Sequence, residues 1–245
     1  MRLDAYLVEK GFARSRDSAK RAIMAGQVVV DGCVVVKPST SVAGIETIQF
    51  GGAEDAYVSR GALKLLHGLD RFDIDPKGKT AIDLGASTGG FSQVLLMAEA
   101  ARIYAIDVGT DQLHPMIKSD ARVTDLSPLH ARDVTDAHIP ERADLIVCDV
   151  SFISLKKALP GPLLLTKPDA EFCVLVKPQF ELGPDHVGKG GIVPLDVPAL
   201  FDWLKADMLP WFAELGCEVT GIADSPIKGG DGNHEFLIGG RRNGR

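Results

Sequence analysis

Four charged residues stand where apolar runs of this chain begin or end. Asp149 follows Leu145-Ile146-Val147-Cys148, and Lys177 follows Val174-Leu175-Val176. Lys64 lies in an amphipathic segment ahead of the first such run, and Glu235 follows Gly232-Asn233-His234 into the last. Amines and carboxylates of this kind suit proton transfer at a hydroxyl, with one group accepting the proton and others orienting it. Each charge taken alone reads best as solvated surface. For Asp149 and Lys177 that reading is poor, because the carboxyl ends of strands in an open parallel sheet face one ligand crevice.

A second set surrounds Asp83-Leu84-Gly85-Ala86-Ser87-Thr88-Gly89-Gly90-Phe91, which follows an apolar run and opens a helical one. Glycines there permit a tight turn and let a ligand lie against backbone N–H groups. The next apolar run ends in Ile106-Asp107, an acid placed to accept hydrogen bonds from both hydroxyls of a nucleoside ribose. Asp133, further on, is either a contact for an adenine amino group or a plain loop acid. The glycines and Asp107 alone do not separate a nicotinamide cofactor from S-adenosylmethionine. Two features favour the methyl donor: the loop is not G-x-G-x-x-G, and the charged residues that follow suit chemistry on a hydroxyl rather than hydride transfer.

These residues need a scaffold, and hydropathy supplies one. Apolar runs at Thr80–Leu84, Ile103–Val108, Val123–Leu126, Leu145–Val150 and Phe172–Lys177 alternate with amphipathic segments, which predicts a mostly parallel sheet covered on both faces. A helix containing Leu63, Leu66 and Leu69 precedes them, and a long helical region covers Pro198 to Leu215. Strands Glu218–Ala223 and Glu235–Gly239 close the chain. Ahead of this lies a smaller unit. Leu3, Tyr6, Leu7 and Val8, then Ala19, Ile23 and Met24, predict two short helices, broken at Gly11, with Ser15 capping the second and Gly26 ending it. Val28–Val30 and Val34–Val36 flank Asp31-Gly32, a two-residue hairpin signal, and Ile45–Phe50 adds a strand. Gly51 to Asp55 reads as a connecting stretch.

Composition narrows the field. With 245 residues, 45% hydrophobic and 24% charged, the chain suits one medium domain and one small one. No apolar stretch is long enough for a signal peptide core or a membrane span. The cysteines, Cys33, Cys148, Cys173 and Cys217, form no C-x-x-C pair, which fits reduced thiols in the cytoplasm. The scattered histidines predict no metal. The net charge of −6 hides an asymmetry: Met1 to Lys64 holds nine Lys/Arg against seven Asp/Glu, and the remainder 18 against 26. Between Gly11 and Gly26, Arg14, Arg16, Lys20 and Arg21 face Asp17 alone, a local basic face able to hold phosphates.

Taken together these motifs resemble a known family. Asp83 to Gln93 looks like the first motif of FtsJ-type ribose 2′-O-methyltransferases, which use a Lys–Asp–Lys–Glu tetrad. The TlyA family, often labelled hemolysins, is the nearer likeness. Its marks read Val58-Ser59-Arg60-Gly61-Ala62-x-Lys64-Leu65, Asp149-Val150-Ser151-Phe152-Ile153-Ser154-Leu155 and Val176-Lys177-Pro178-Gln179-Phe180-Glu181. The last is Ser225-Pro226-Ile227-x-Gly229-x-x-Gly232-Asn233-x-Glu235. Arg2-Leu3-Asp4, Ala13-Arg14-Ser15-Arg16 and Gly26-Gln27-Val28 look like an S4 RNA-binding domain.

The resemblance implies a Rossmann-like α/β methyltransferase fold, its seven-stranded sheet mostly parallel with the last strand antiparallel, behind an α+β S4 domain. Expected bounds are 1–55 for the S4-type domain, 56–60 for a linker and 61–245 for the FtsJ-like domain. The implied activity is S-adenosylmethionine-dependent 2′-O-methylation of cytidine in ribosomal RNA. Both chain ends resemble the shorter family branch, which is associated with the large subunit. Lys64, Asp149, Lys177 and Glu235 become the catalytic tetrad, with Lys177 the base. A free lysine is protonated at neutral pH, so burial and a neighbouring Lys64 ammonium must favour the neutral amine there, against the pull of Asp149. Asp83, Gly85, Ser87, Thr88, Gly89, Phe91, Asp107 and Asp133 become the cofactor set, and Arg2, Arg14, Arg16, Lys20, Arg21 and Arg60 the RNA set. Gly183 to Gly191, with Lys189, is either a flap over RNA or a surface loop. Three other readings compete: a membrane-active hemolysin, a non-catalytic ribosome-associated RNA binder, and another S4-bearing enzyme such as a pseudouridine synthase. The first lacks a membrane segment, the second has every tetrad position filled, and the third needs no methyl donor.

Overall fold

The structure is a computed structural model that describes residues 1–13, 15–24, 28–31, 33–35, 37–45, 47–50 and 57–244. The chain divides into two compact units, Met1–Ser59 and Arg60–Arg245.

In the first unit, α1 (Leu3–Glu9) and α2 (Arg16–Met24) precede a three-stranded sheet of β1 (Val28–Val30), β2 (Cys33–Val34) and β3 (Ile48–Phe50), ordered β2-β1-β3. Leu3 and Leu7, one turn apart on α1, meet Ala19 and Ile23 of α2 and Val28 and Val30 of β1 in a single core. Gly11 takes a left-handed φ of 76° between the helices, the conformation that breaks the helical run. Val30 pairs with Cys33, so the hairpin turns where Asp31-Gly32 predicts. Asp31 sits at φ 47° and its carboxylate accepts from Thr47 N at 2.7 Å; Gly32 and Gly26 lie outside the described residues. The third strand is shorter than the expected Ile45–Phe50.

The second unit opens with α3 (Gly61–Phe72), β4 (Thr80–Leu84), α4 (Gly90–Met97), β5 (Arg102–Ile106), α5 (Pro115–Lys118), β6 (Val123–Asp125) and β7 (Ala143–Cys148). It continues through α6 (Leu155–Ala158), α7 (Pro160–Leu163), β8 (Thr166–Val176), α8 (Pro178–Glu181), α9 (Val197–Trp203), α10 (Leu209–Glu214), β9 (Cys217–Asp224) and β10 (Phe236–Arg242). The sheet has seven strands in the order β6-β5-β4-β7-β8-β10-β9. All neighbours from β6 to β8 pair in parallel, and β10 runs antiparallel to both β8 and β9. This is the mostly parallel sheet, with an antiparallel last strand, that the resemblance implies.

Strand residues alternate between two covered faces, which is why the runs read as continuously apolar. Ile82, Ile146, Phe172, Val174 and Phe236 face a core closed by Leu155, Leu163, Leu200 and Phe212 from α6, α7, α9 and α10. On the other face α3 lies close to the sheet. A side chain at Gly68 would meet Cys173 Sγ at 2.4 Å, so only glycine lets the helix approach this far.

In the second unit the largest departures from the expected ranges are in β8 and in the long helical region. Strand β8 starts at Thr166, six residues early, because Lys167, Pro168 and Asp169 are exposed and carry no apolar signal. The helix over Pro198–Leu215 is interrupted by a π-turn at Leu204–Met208, just before Pro210, which has no N–H to continue the ladder.

Candidate active site

Strand register assembles the charged residues. In the antiparallel pair β8–β10, Phe236 lies opposite Val176, which puts Glu235 and Lys177, the residues next along, at the same edge. Cys148 pairs with both Leu84 and Val174, so Asp149 emerges at that edge too. Lys64 arrives from α3 on the buried stripe of Ala62, Leu65, Gly68 and Leu69.

The four side chains form a row of alternating charge. Glu235 Oε2 lies 2.6 Å from Lys64 Nζ, and Lys64 Nζ lies 3.9 Å from Asp149 Oδ2. Asp149 Oδ1 lies 2.5 Å from Lys177 Nζ, a close ion pair without hydrogen-bond alignment, while Lys177 Nζ donates to Ser151 Oγ at 2.7 Å. Lys64, Lys177 and Glu235 are buried and Asp149 nearly so. Two carboxylates against two ammoniums leave the row formally neutral, the condition under which such a group tolerates burial.

The glycine loop starts beside this row. Asp149 N donates to Leu84 O at 2.9 Å, and Gly85 takes φ 85° with its α-carbon against the Asp149 backbone. A side chain there would sit 2.7 Å from Asp149 O, so the approach requires glycine. Ser87 and Thr88 are exposed, and Gly89 precedes α4 at φ 95°. Asp107, at the end of β5, accepts from Ser87 N and Gly109 N, both at 2.8 Å, which fixes its carboxylate beside the loop. Leu129 N donates to Asp107 O, tying the segment that leads to Asp133 to the same strand end. Asp133 itself is exposed on a 3-10 turn, 3.8 Å from Arg132 Nε.

Two expected cofactor residues lie deeper. Phe91 is buried within α4. Asp83 is fully buried, accepts from Ser92 Oγ at 2.6 Å and has an Oδ1 atom without a hydrogen-bond partner. Burial, with the neighbouring Asp149 charge adding to it against the Ser92 hydrogen bond, pushes the Asp83 carboxyl up to about 7.

In the first unit, Arg2 Nε and Arg16 reach the buried Asp4 carboxylate at 3.0 and 3.2 Å, and both guanidiniums remain half exposed. Hydrogen bonds from Arg2 hold the Asp4 carboxyl down at about 2. Lys20 lies 3.5 Å from Asp17. Arg60 is exposed at the start of α3, Arg14 lies outside the described residues, and so does the Arg21 side chain.

Phe152, read in the sequence only as part of a motif, stands out as a site residue in the structure. It is 91% exposed, holds φ 63° and stacks at a tilt on Phe180, with centroids 5.4 Å apart. An aromatic residue between Ser151 and Ser154, in a segment bordering Asp149, was the available signal. Among the described residues no group of His, Cys, Asp and Glu has metal-holding geometry, and no helix is long and apolar enough to cross a membrane.

Comparison with known proteins fits this geometry. The FtsJ-like methyltransferase family matches residues 57–242 and the S4 domain family residues 1–45. The 16S/23S rRNA (cytidine-2′-O)-methyltransferase TlyA of Mycobacterium tuberculosis is 42% identical, over 97% of this chain and 88% of its own. The 23S rRNA (cytidine-2′-O)-methyltransferase TlyA of Campylobacter jejuni is 38% identical, over 75% of this chain and 70% of its own. A solved structure described as a putative hemolysin from Streptococcus thermophilus superposes with a TM-score of 0.74 at 35% identity, covering 99% of this chain and 88% of that one. The chain belongs to the TlyA family of FtsJ-like methyltransferases, with an S4 domain at its N-terminus.

Proposed function

We propose that this protein transfers a methyl group from S-adenosylmethionine to a cytidine 2′-hydroxyl in ribosomal RNA. The observation that carries the reading is the alternating row Glu235–Lys64–Asp149–Lys177 at the sheet edge, directly beside the glycine loop. Membership of a methyltransferase family supports the reaction type, and two relatives named for cytidine 2′-O-methylation of rRNA support the substrate. Both of those names include 23S rRNA, which makes the large subunit the first substrate to test.

The residues present suit the cofactor. Gly85 and Gly89 let the loop turn tightly, at φ 85° and 95°, against Asp149 and against Leu113 and Ile117, and Asp107 is held beside it to accept from a ribose. Exposed Ser87 and Thr88 take the amino-acid end, with Asp133 assigned to the adenine and Asp83 behind the loop. Bound there, S-adenosylmethionine supplies an activated methyl carbon. The protein's task is to align the ribose oxygen with that carbon and to accept the hydroxyl proton. Lys177, at the end of the row and hydrogen-bonded to Ser151, is the group assigned to the proton: it gives up the one its ammonium carries in the resting row and then accepts the one from the hydroxyl. Asp149 orients Lys177, and Glu235 holds Lys64 against Asp149 from the other side. Phe152 offers an exposed face for a splayed base, the usual way single-stranded RNA is gripped. Arg2, Arg14, Arg16, Lys20, Arg21 and Arg60 take phosphates.

The test is to incubate purified protein with S-adenosylmethionine and isolated ribosomal subunits, then map modified nucleotides. A 2′-O-methylcytidine in 23S rRNA is expected. Methyl transfer to a base atom, or none to either subunit, overturns the reading.

A further inference from the structure

Asn233 lies two residues before Glu235 and is 3% exposed. Its amide makes two hydrogen bonds, both to backbone of a distant segment. Val193 N donates to Asn233 Oδ1 at 2.9 Å, and Asn233 Nδ2 donates to Gly191 O at 2.8 Å. The segment it grips belongs to the glycine-rich stretch after α8. There, 3-10 turns at Pro184–His186 and Lys189–Gly191 leave Lys189 exposed, Gly188 N bonds Ile192 O at 2.7 Å, and Val193 enters the main core.

The backbone around Asn233 is also fixed toward the row of charges. Gly229 N donates to Asn233 O at 3.0 Å, and Ser225 N donates to Glu235 O at 2.9 Å, which closes the connection between β9 and β10 into one unit. Glu235 at its end holds Lys64 at 2.6 Å. A single buried amide therefore joins an exposed loop to the backbone that carries one end of the row. Only a side chain with a donor and an acceptor at this length satisfies both partners: aspartate supplies acceptors alone, and alanine neither.

We infer that Asn233 is a positioning residue that couples the 188–193 loop to Glu235, so that holding the loop and setting the Lys64–Glu235 pair are one event. The inference deepens the transferase reading of the same site. In that reading the loop, with Lys189 at its tip, borders the RNA, and RNA that presses on it steadies the pair. The coupling itself needs no substrate to exist.

Two variants test it, Asn233→Ala and the near-isosteric Asn233→Asp, which keeps the shape if alanine fails to fold. Hydrogen exchange is followed at Val193 N–H, which bonds Asn233 directly, and at Ser225 N–H, which bonds only the Glu235 carbonyl. Amides of the β4–β5 ladder serve as an internal reference. Both amides should exchange faster while the reference holds. With rRNA, kcat should fall roughly 10–100-fold, the scale of a small misplacement near a reacting centre, while cofactor affinity stays within about twofold. Acceleration confined to Val193, or normal kcat after the loop is freed, overturns the inference. A wild-type protein without activity on rRNA sinks the transferase reading, and the exchange at Ser225 still decides the coupling.

Discussion

Lys64 and Glu235 stand 171 residues apart in sequence, yet Nζ lies 2.6 Å from Oε2 inside the protein. Helix α3 brings one, and the antiparallel register of β10 on β8 brings the other. Both side chains have lost most of their water, so each depends on its partner for compensation. Removing Lys64 as Lys64→Met should destabilise the fold by about 3–5 kcal/mol, because a buried carboxylate is left against Asp149 alone. The double change Lys64→Met with Glu235→Leu should recover much of that loss. Denaturant unfolding measures both; equal loss in the single and double variants would show that the pair is not coupled.

Asp107 predicts an effect confined to the cofactor. Its carboxylate is already held by Ser87 N and Gly109 N, so its position does not wait for a ligand. Asp107→Ala should weaken S-adenosylmethionine binding by roughly 1–3 kcal/mol, the range for hydrogen bonds lost to a buried partner. Calorimetry on the folded variant gives the answer, and unchanged affinity would show that the ribose acid is misassigned.

Asp83 predicts a pH dependence of stability. Burial raises its carboxyl from 3.8 in the unfolded chain to about 7 in the folded one, so the folded state binds the proton more tightly. Its favourable contribution is full below about pH 4 and is lost as pH rises to 7, at about 1.4 kcal/mol per pH unit. Asp83→Asn removes the titration and should flatten the stability profile across that window. Unfolding midpoints measured from pH 4 to 8 without cofactor check it. A variant with the wild-type slope would mean that Asp83 stays ionised.

How much of this was legible beforehand follows from where each signal resides. Strand positions were readable because parallel strands are covered on both faces, which leaves runs such as Leu145–Cys148 uninterrupted by polar residues. Asp149 and Lys177 were readable as members of the row because each ends such a run, while Lys64 and Glu235 join it only through the family resemblance. The order of contacts within the row was not readable. Glu235 pairing with Lys64 rather than Lys177, and Ser151 accepting from Lys177, depend on register and side-chain reach, which hydropathy does not encode. The early start of β8 was hidden because Lys167–Asp169 are exposed and polar. Burial of Asp83 was equally hidden: a carboxylate in a strand reads the same whether it faces a helix or a ligand.

The basic face of the first unit carries a prediction of its own. Arg16 remains 55% exposed while reaching Asp4 at 3.2 Å, so the acid orients the guanidinium and leaves it open to a phosphate. Arg16→Glu should weaken rRNA binding and lower its salt dependence by about one phosphate contact, with cofactor affinity intact. Binding measured at several salt concentrations tests this. An unchanged salt slope would show that this face is only solvated surface.

Lys177 is where the proposed chemistry is most exposed to test. Its amine sits at the end of the row, with Asp149 on one side and Ser151 on the other, and it is 7% exposed. If it accepts the hydroxyl proton, Lys177→Ala should lower the methyl-transfer rate by about 10²–10⁴-fold or more while both substrates still bind. Lys177→Arg separates proton transfer from charge. Arginine keeps the positive charge that pairs with Asp149, but it cannot be deprotonated and so cannot act as a base. If charge alone matters, arginine restores turnover; if the proton must be accepted, it does not. Arginine is also bulkier, so cofactor and RNA binding are measured in the same variant to exclude a steric failure. An arginine variant that binds both and turns over near the wild-type rate would remove Lys177 as the base and leave it only the task of pairing with Asp149.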